Sequence, residues 1–443
     1  MLDINLFRTS PDTIKKSLID RQKDPGILDK VLDSDKKYRQ LLSQVEKLRS
    51  DQNAVSREVK GKPTDDQRKS ALDIKNQLKS LEEELAKAEV IRDNLLEEVP
   101  NIPSDDTPIG KDDTENQIFK EFGRPKDFDF TPLDHVDLGE RLDIIDVKKA
   151  GDLSGSRFGY FKGQGAVLEM SVMFYAFQKL IAMGWTGMIP PAMVKSKTEW
   201  ACGYTSNKNL FNAGYSSPED DLIFISSSEH SVVPYHTNEI LDSDRLPIKY
   251  VNFSPCFRRE AGTYGKDTRG LFRVHFFNKV EMNVFVTPDL EVSDAMCLEM
   301  LAIEEEIMQE LGLHYRVMKC CTGDLPQPNR RMYDVNTYFP GQKTYRETQS
   351  CSNCTDYQAR RLNTKVKING QNQFVHILNA TVVTDRVVLA ILENFQQKDG
   401  SILITKCLHP YTNFSAILPK TWFVEEPPTP TSGASRSVGG CFH

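Results

Sequence analysis

A dense run of arginine and glutamate side chains between residues 256 and 281 has the chemistry to hold a phosphate and an amine together. A guanidinium group can donate two hydrogen bonds to phosphate oxygens, and a buried carboxylate suits an ammonium group. We expect residues 257–260 to form a strand, on which Arg258 and Glu260 share one face because side chains alternate. The candidates for these contacts are Arg258, Arg259, Glu260, Arg273 and Glu281.

The residues after this strand have the composition of a hairpin. Residues 263–270 contain two glycines, an aspartate and threonine, which favour a loop. Residues 271–286 then return to alternating apolar and polar side chains, so Arg273 and Glu281 are expected on the second strand. The alternative is a surface hairpin with scattered ion pairs, which the density of the run disfavours.

Apolar residues at seven-residue spacing predict two long helices near the N-terminus. One series comprises Val31, Tyr38, Val45 and Val59 with Leu41, Leu48 and Val55; the other comprises Ala71, Leu78 and Leu85 with Ile74, Leu81, Ala88 and Leu95. Residues 61–64 (Gly-Lys-Pro-Thr) interrupt the pattern and supply a turn, so the helices should fold back as an antiparallel coiled coil. Each helix of about 30 residues would be about 45 Å long.

The tip of this arm is rich in basic side chains. They are Lys47, Arg49, Arg57, Lys60, Lys62, Arg68 and Lys69, and they outnumber the acidic residues of the same segment. Such a tip could neutralise RNA phosphates. A solvated helical face explains the same charges equally well, since heptads serve dimers, spacers and RNA-binding arms alike.

The remaining segments predict a mixed body that follows the arm. Prolines and acidic residues favour an exposed linker over residues 106–120, between an arm at 1–105 and a body at 121–425. Helical and strand patterns then alternate irregularly, which favours an α+β fold with an antiparallel sheet flanked by helices. The Pro- and Gly-rich residues 426–443 are expected to be a disordered tail.

Composition and charge narrow the class of protein. A net charge of −7 provides no overall attraction to nucleic acid, so any RNA contact must be local. Nine cysteines at irregular spacing favour reduced thiols, and the Cys351-x-x-Cys354 pair is a weak metal signal. We find no apolar run of the roughly 18 residues that would span a bilayer and no secretory signal, so a cytoplasmic protein without a membrane partner is expected.

The charged run resembles motif 2 of class II aminoacyl-tRNA synthetases, in the form found in the seryl-tRNA synthetase family. The matching sequences are FRREAG, DTRGLFRVH and KVE. Further similarities occur in the order MLDINLFR, VPNIP, GSRFGYFKG, ETQSCSN, DYQARR, HILNAT and AILENFQ, and together they cover about residues 1–410. This resemblance implies a class II catalytic domain preceded by a tRNA-binding coiled-coil arm.

The resemblance implies an ATP site held by arginines on a sheet face. Arg258 would contact the α-phosphate, Glu260 and Phe277 the adenine, and Arg273 and Arg386 would bracket the phosphates. The remaining implied ATP contacts are Arg259, Val274, Glu347, Thr348, Gln349 and Ser350, of which Glu347 and Ser350 would hold Mg²⁺. Arg258, Arg273 and Arg386 are the implied catalytic residues.

The resemblance also implies the other substrates and the assembly. L-serine would be bound by Ser227, Ser228, Glu229, Glu281, Asn379 and Thr381. The basic tip would grip tRNA(Ser), with tRNA(Sec) as a further acceptor left open. A homodimer is implied, with an interface around residues 184–193. The implied activity is that of a serine–tRNA ligase, which forms seryl-adenylate from serine and ATP and transfers the seryl group to tRNA.

Four departures from the family pattern keep other functions open. Ser227 replaces a usual Thr, Phe276 replaces a usual Gln, and residues 203–210 lack a usual glycine-rich sequence. The segment from Asn379 to Arg386 is one residue shorter than usual, which raises the question of whether Arg386 reaches the site. The alternatives are a weakened or inactive paralogue that binds tRNA or protein, and a ligase that acts on a carrier other than tRNA.

Overall fold

The computed structural model describes residues 1–58, 64–204, 214–260 and 270–419. Several predictions fall outside the described residues: Val59, Lys60, Lys62, residues 61–63 of the predicted turn, residues 263–269 of the loop predicted over 263–270, and the tail predicted over 426–443. The described chain forms an N-terminal helical arm followed by a large body built on one sheet.

Four helices build the arm. They are α1 (Ile4–Thr9), α2 (Pro11–Asp20), α3 (Ile27–Glu58) and α4 (Asp65–Glu97). The two long helices pack against each other, with heptad residues such as Val45 and Leu78 buried, which confirms the predicted coiled-coil arm. Thr64 caps α4: its hydroxyl accepts from the Gln67 amide at 3.3 Å, and the Gln67 side chain accepts from the Thr64 amide at 3.0 Å.

The base of the arm is packed on the body. Phe7, Ile14 and Leu18 are almost fully buried in a cluster that includes Tyr357 of the body. The Arg21 guanidinium is also buried and donates to the carbonyl oxygens of Asn101, Leu325, Pro326 and Asn329. The hydrogen bonds to three body carbonyls tie the arm to one part of the body.

The body is organised on an eight-stranded sheet. In spatial order its strands are Gln117–Phe122 (β1), Tyr315–Lys319 (β11), Arg331–Phe339 (β12), Thr344–Thr355 (β13), His376–Thr384 (β16), Phe276–Val286 (β10), Ile248–Phe257 (β9) and Thr186–Met188 (β4). Neighbouring strands are antiparallel except β4 and β9. The edge strand β1 begins inside the segment predicted as a linker.

Shorter strands and nine further helices complete the described part of the body. The strands are β2 (Ile145–Asp146), β3 (Tyr160–Phe161), β5 (Met193–Lys195), β6 (Ser216–Ser217), β7 (Leu222–Phe224), β8 (Ile240–Leu241), β14 (Lys365–Ile368), β15 (Gln371–Phe374), β17 (Ile402–Leu403) and β18 (Ala416–Ile417). The helices are α5 (His135–Arg141), α6 (Val147–Ser154), α7 (Gln164–Ala182), α8 (Ser196–Cys202), α9 (Glu229–Val232), α10 (Leu290–Glu310), α11 (Tyr357–Leu362), α12 (Asp385–Asn394) and α13 (His409–Thr412). The α+β prediction is confirmed.

Side-chain alternation on β10 separates the core from the functional face. Val280, Met282 and Val284 are fully buried in the main core, against α7, α10 and α12. Glu281 lies between them in sequence and therefore projects from the opposite face of the strand. The sequence period of two thus places a carboxylate on the side where the site lies.

Helix α7 corrects one sequence-based expectation. By length and composition this 19-residue helix is apolar enough to cross a membrane, although the sequence was expected to contain no such segment. Half of this apolar stretch is buried inside the protein, and its buried side chains, including Leu168, Val172 and Ala176, belong to the main core. The apolar composition is that of a core helix packed on the sheet.

Candidate active site

One cleft on the open face of the sheet brings together most of the predicted ATP-binding residues. Strands β10, β13 and β16, the first turn of α12, and the segments that flank the β9–β10 connection contribute its walls. The lining residues are Arg258, Glu260, Leu271, Phe272, Arg273, Val274, Phe277, Lys279, Glu347, Thr348, Gln349, Ser350, Thr381, Thr384, Asp385 and Arg386. Three guanidinium groups therefore face one space.

Arg258 and Glu260 reach this cleft by a route that differs from the predicted one. Strand β9 ends at Phe257, and Glu260 has a left-handed backbone with φ of 50°, so the two side chains do not share a strand face by alternation. Arg273 precedes the second strand, which starts at Phe276, so its predicted strand position is also wrong. Both Glu260 and Arg273 lie outside the strands, and Glu260 Oε2 lies 3.4 Å from the Arg273 guanidinium.

Arg258 is oriented by its neighbours. Its Nε donates to the Ser226 carbonyl oxygen at 3.2 Å, and its guanidinium carbon lies 5.1 Å from the centre of the Phe277 ring. Arg259 points elsewhere: its Nε donates to the Gly214 carbonyl oxygen at 2.7 Å in an adjoining recess. The structure thus separates the two neighbouring arginines, and a role of Arg259 in ATP binding stays a prediction.

Arg386 faces the cleft despite the shorter segment before it. Helix α12 begins at Asp385, and the Thr384 hydroxyl caps it by accepting from the Arg386 amide at 3.3 Å. The Arg386 guanidinium lies 3.2 Å from Glu347 Oε2 and donates to the Phe272 carbonyl oxygen at 3.3 Å. The shortened segment therefore leaves Arg386 next to the predicted metal ligand.

Charge in the cleft favours ionised Glu347. Partial enclosure opposes ionisation, but the guanidinium groups of Arg386, Arg258 and Arg273 outweigh it and lower the pKa of the Glu347 carboxyl. Ser350 lines the same cleft from the same strand. A carboxylate and a hydroxyl are hard oxygen donors, so this pair fits Mg²⁺.

Deeper in the protein, beside the cleft, a cluster of buried polar side chains surrounds the carboxylate of Glu281, and we call this cluster the Glu281 pocket. The carboxylate oxygens accept from the Ser227 hydroxyl at 2.8 and 3.0 Å, from the Ser228 hydroxyl, and from the Glu229 amide at 3.2 Å. Lys279 Nζ lies 3.1 Å from the same carboxylate. Burial opposes ionisation of Glu281, but Lys279 and the two hydroxyls outweigh it and lower its pKa.

Glu229 forms the second carboxylate of this pocket. It accepts hydrogen bonds from the Tyr204 hydroxyl at 2.9 Å, the Gln358 amide at 2.6 Å and the Asn379 amide at 3.0 Å. Burial raises the pKa of Glu229. Thr381 lies directly opposite Glu281 on β16 and also lines the cleft, so the pocket and the cleft adjoin.

Three side chains of this site were given no role on sequence. Lys279 lies between the cleft and the Glu281 pocket, while Gln358 and Tyr204 hold Glu229. Lys279 lies in the KVE motif and Gln358 in the DYQARR motif, so the sequence contains a signal for a role of each in the site. Tyr204 follows α8 in a segment without a motif, and only the fold brings it to Glu229.

The basic residues at the tip of the arm are exposed wherever the structure describes them. Arg49 pairs with Glu82 across the two helices at 2.7 Å, and Arg68 pairs with Asp65 at 3.3 Å. Arg57 and Lys69 are exposed near the end of the arm. These contacts leave the tip charged and far along the coiled coil from the body.

The fold and the cleft define a class II aminoacyl-tRNA synthetase core: an antiparallel sheet with arginines over one face. The model of the tRNA synthetase class II core domain (G, H, P, S and T) matches residues 211–395. The model of the seryl-tRNA synthetase N-terminal domain matches residues 1–103. The arm and the core thus match two domains of the same class of enzyme.

Similar proteins cover almost the whole chain. A serine–tRNA ligase of Thermobifida fusca is 40% identical over 427 residues, which are 95% of this chain and 99% of that protein. The seryl-tRNA synthetase of Pyrococcus horikoshii complexed with ATP has a TM-score of 0.87 at 36% identity and covers 95% of this chain and 100% of its own. The cytoplasmic serine–tRNA ligase of Naegleria fowleri in complex with AMP has a TM-score of 0.84 at 30% identity, covering 95% and 99%.

The chain belongs to the seryl-tRNA synthetase family. Its relatives are ATP-dependent serine–tRNA ligases, and the match extends over both the arm and the catalytic body.

Proposed function

We propose that this protein is an active serine–tRNA ligase. It forms seryl-adenylate from L-serine and ATP and then transfers the seryl group to tRNA(Ser), with tRNA(Sec) a further candidate acceptor. The observation that carries this proposal is the continuity of the arginine cleft with the Glu281 pocket, since Lys279 and Thr381 belong to both. A nucleotide and an amino acid can therefore meet at one boundary.

The cleft suits the phosphates and the base of ATP. Arg258 would contact the α-phosphate at which the serine carboxylate attacks, and Arg273 and Arg386 would bracket the remaining phosphates. Phe277 already lies beneath the Arg258 guanidinium and offers its ring to adenine, beside Glu260. Guanidinium groups fixed before the reaction stabilise charge that develops on the phosphate oxygens.

The deeper pocket suits serine. The ionised Glu281 and the neighbouring Glu229 provide carboxylates for the ammonium group, and Ser227, Asn379 and Thr381 provide polar partners for the rest of the amino acid. A pocket built for a hydroxyl leaves a buried polar group unpaired when alanine binds. The kcat/KM for alanine can therefore be lower than that for serine by about 10⁴-fold or more.

Glu347 and Ser350 are proposed to hold Mg²⁺ against the phosphate oxygens. The ion would neutralise charge on the pyrophosphate leaving group. The Arg386 guanidinium, 3.2 Å from Glu347, keeps the carboxylate ionised and would be free to follow the phosphates when the ion binds.

The arm and one apolar surface suggest the partners. The exposed Arg49, Arg57, Arg68 and Lys69 support binding of tRNA(Ser) phosphates by the arm. An apolar groove beside α7 includes the exposed Met170 and Phe174, with Ile189 at 81% exposure. We assign this groove to a homodimer interface and the protein to the cytoplasm.

Serine-dependent exchange of pyrophosphate into ATP tests the proposal. Exchange with serine and Mg²⁺ is expected, without comparable exchange for alanine or threonine. Arg258→Ala should lower the exchange rate on the order of 100-fold because it removes a phosphate contact. Lys398→Ala, which breaks only an exposed ion pair with Asp129, is the matched control.

Folded protein that shows no serine-dependent exchange but binds tRNA(Ser) would overturn the enzymatic proposal in favour of a binding paralogue. Equal exchange with several amino acids would overturn the assignment of the pocket to serine.

A further inference from the structure

Two carboxylates and one thiol meet beside the cleft, one strand away from Ser350. A sulfur of Cys320 and one oxygen each of Asp324 and Asp334 lie within 4.8 Å of one another. Cys320 and Asp324 lie in the connection between β11 and β12, and Asp334 lies on β12. Asp334 is paired with Ser350 across β12 and β13, so both side chains project from the same face of the sheet.

Asp334 has an oxygen that lacks a partner. The residue is only 9% exposed, and its Oδ1 receives no hydrogen bond within the described part of the chain. Asn116 donates to Asp324 at 2.8 Å, but in the described residues no lysine or arginine forms an ion pair with Asp324 or Asp334. A buried carboxylate that has no ion-pair partner among the described residues and faces the like charges of Glu347 and Asp324 is costly, so the position of Asp334 favours a bound cation.

We propose that Cys320, Asp324 and Asp334 bind a divalent transition-metal ion of the zinc class. A thiolate sulfur selects such an ion over Mg²⁺, and aspartate oxygens complete a mixed ligand set. Small side-chain rotations would bring the three ligand atoms to the separation of about 3.5 Å that tetrahedral zinc requires. The ion would join the β11–β12 connection to the strand that pairs with the Ser350 strand.

This site adjoins the proposed magnesium site but uses different ligands. Glu347 and Ser350 lie on β13 and face the cleft, whereas the three proposed ligands come from β12 and the connection before it. The proposed ion therefore lies beside the cleft, on the same face of the sheet, and needs neither ATP nor serine in order to bind.

Binding of Co²⁺ to the full-length protein, after removal of metals by a chelator, tests this proposal. Cobalt serves as a probe because bonding to a thiolate produces a charge-transfer absorption in the near ultraviolet. We expect one Co²⁺ per chain with this absorption and its displacement by one equivalent of Zn²⁺. Cys320→Ser should abolish the absorption, and Asp334→Asn should weaken Co²⁺ binding at least 10-fold.

Two variants serve as matched controls. Cys321→Ser changes the adjacent buried thiol, which donates to the Asp112 carbonyl oxygen instead, and should leave the absorption unchanged. Lys398→Ala breaks only the exposed ion pair with Asp129 and should leave Co²⁺ binding unchanged. Circular dichroism establishes that each variant is folded. Asp324→Asn, at the half-buried edge of the pocket, replaces any ligand variant that does not fold.

Absence of Co²⁺ binding by the wild-type protein would overturn the proposal. An unchanged absorption in Cys320→Ser, or displacement of Co²⁺ by Mg²⁺ at equal concentration, would also overturn it, because either result excludes a thiolate-containing zinc-class site.

Discussion

Glu281 shows how a fully buried carboxylate can be kept charged for a ligand. Its 2% exposure alone would favour the neutral acid, but Lys279 and the hydroxyls of Ser227 and Ser228 lower its pKa. Glu229, whose pKa is raised by burial, lies beside it in the same pocket. The two carboxylates are thus held in environments that shift their pKa values in opposite directions.

Glu281→Gln is expected to weaken serine binding much more than ATP binding. Removing one partner of a buried charged pair typically costs about 2–5 kcal/mol, so the KM for serine in pyrophosphate exchange should rise by about 30-fold or more. The KM for ATP should change little, because the side chain of residue 281 does not line the arginine cleft. Glu291→Gln, an exposed position at the start of α10, provides the control. An equal rise in both KM values would contradict this role for Glu281.

At the scale of elements, charged side chains contribute to the junction between the arm and the body. Arg21 bonds to body carbonyl groups, while Asp106 lies 2.6 Å from Lys319 on β11 and 2.7 Å from Arg331 on β12. Part of Asp106 is buried, which opposes ionisation, but Lys319, Ser104 and Arg331 lower its pKa to about 2. The segment after the arm is therefore attached to the sheet by charge.

The Asp106 ion pairs predict a loss of stability in acid. Because the folded pKa is lowered, their contribution is present above the unfolded pKa of about 4 and is lost as pH falls toward about 2. Asp106→Asn should destabilise the protein by up to about 1 kcal/mol near neutral pH, since the carboxylate is half exposed.

Thermal unfolding of wild type and Asp106→Asn at several pH values measures this effect, with the exposed neighbour Asp105→Asn as the control. The difference in melting temperature between wild type and Asp106→Asn should shrink as pH falls below 4. A difference that is constant with pH would show that the ion pairs do not cause it.

The basic tip of the arm should affect tRNA without affecting activation. Arg57→Ala combined with Lys69→Ala should raise the KM for tRNA(Ser). The slope of the logarithm of the tRNA binding constant against the logarithm of salt concentration should fall in magnitude by about one to two. Pyrophosphate exchange should remain at the wild-type rate. Lys36→Ala with Lys37→Ala, which lie on the same α3 helix near its base, should leave the tRNA KM unchanged; an equal effect of both pairs would contradict a role specific to the tip.

At the scale of the whole molecule, the apolar groove beside α7 bears on assembly. Met170, Phe174 and Ile189 are exposed around it, and Glu169 and Asn278 in its wall hydrogen-bond at 2.9 Å. Exposed apolar patches of this kind are typical of protein interfaces. Asn278 lies on β10, the strand that carries Glu281, so the proposed interface is close in sequence to the site.

Phe174→Glu is expected to convert a dimer to monomers. A charge in an apolar interface is left without a partner, which should weaken association at least 100-fold. Sedimentation velocity at several protein concentrations measures the change. Ile109→Glu places the same charge at another exposed apolar residue, outside the groove, and should leave the sedimentation coefficient unchanged. A wild-type protein that sediments as a monomer would contradict the proposed dimer.

Local patterns were enough to predict the architecture. Heptad spacing predicted the antiparallel arm, because burial of every third or fourth side chain is a local property of a helix. Alternation indicated the strand that carries Glu281, and the run of arginines and glutamates indicated phosphate and amine binding. The spacing of charges could not reveal that Glu260 adopts a left-handed backbone and that Arg273 precedes its strand.

Contacts between segments distant in sequence were decided by the tertiary structure alone. The pairing of strands and the helix cap at Thr384 bring Arg386 to Glu347, although the segment from Asn379 to Arg386 is one residue shorter than usual. Pairing of β12 with β13 brings Asp334 opposite Ser350, while Tyr204 reaches Glu229 from a segment without a motif. The sequence by itself determined which elements form and which chemistry they carry, because periodicity and residue type are local. The tertiary structure decided which charges share a cleft, because strand order and burial depend on the whole chain.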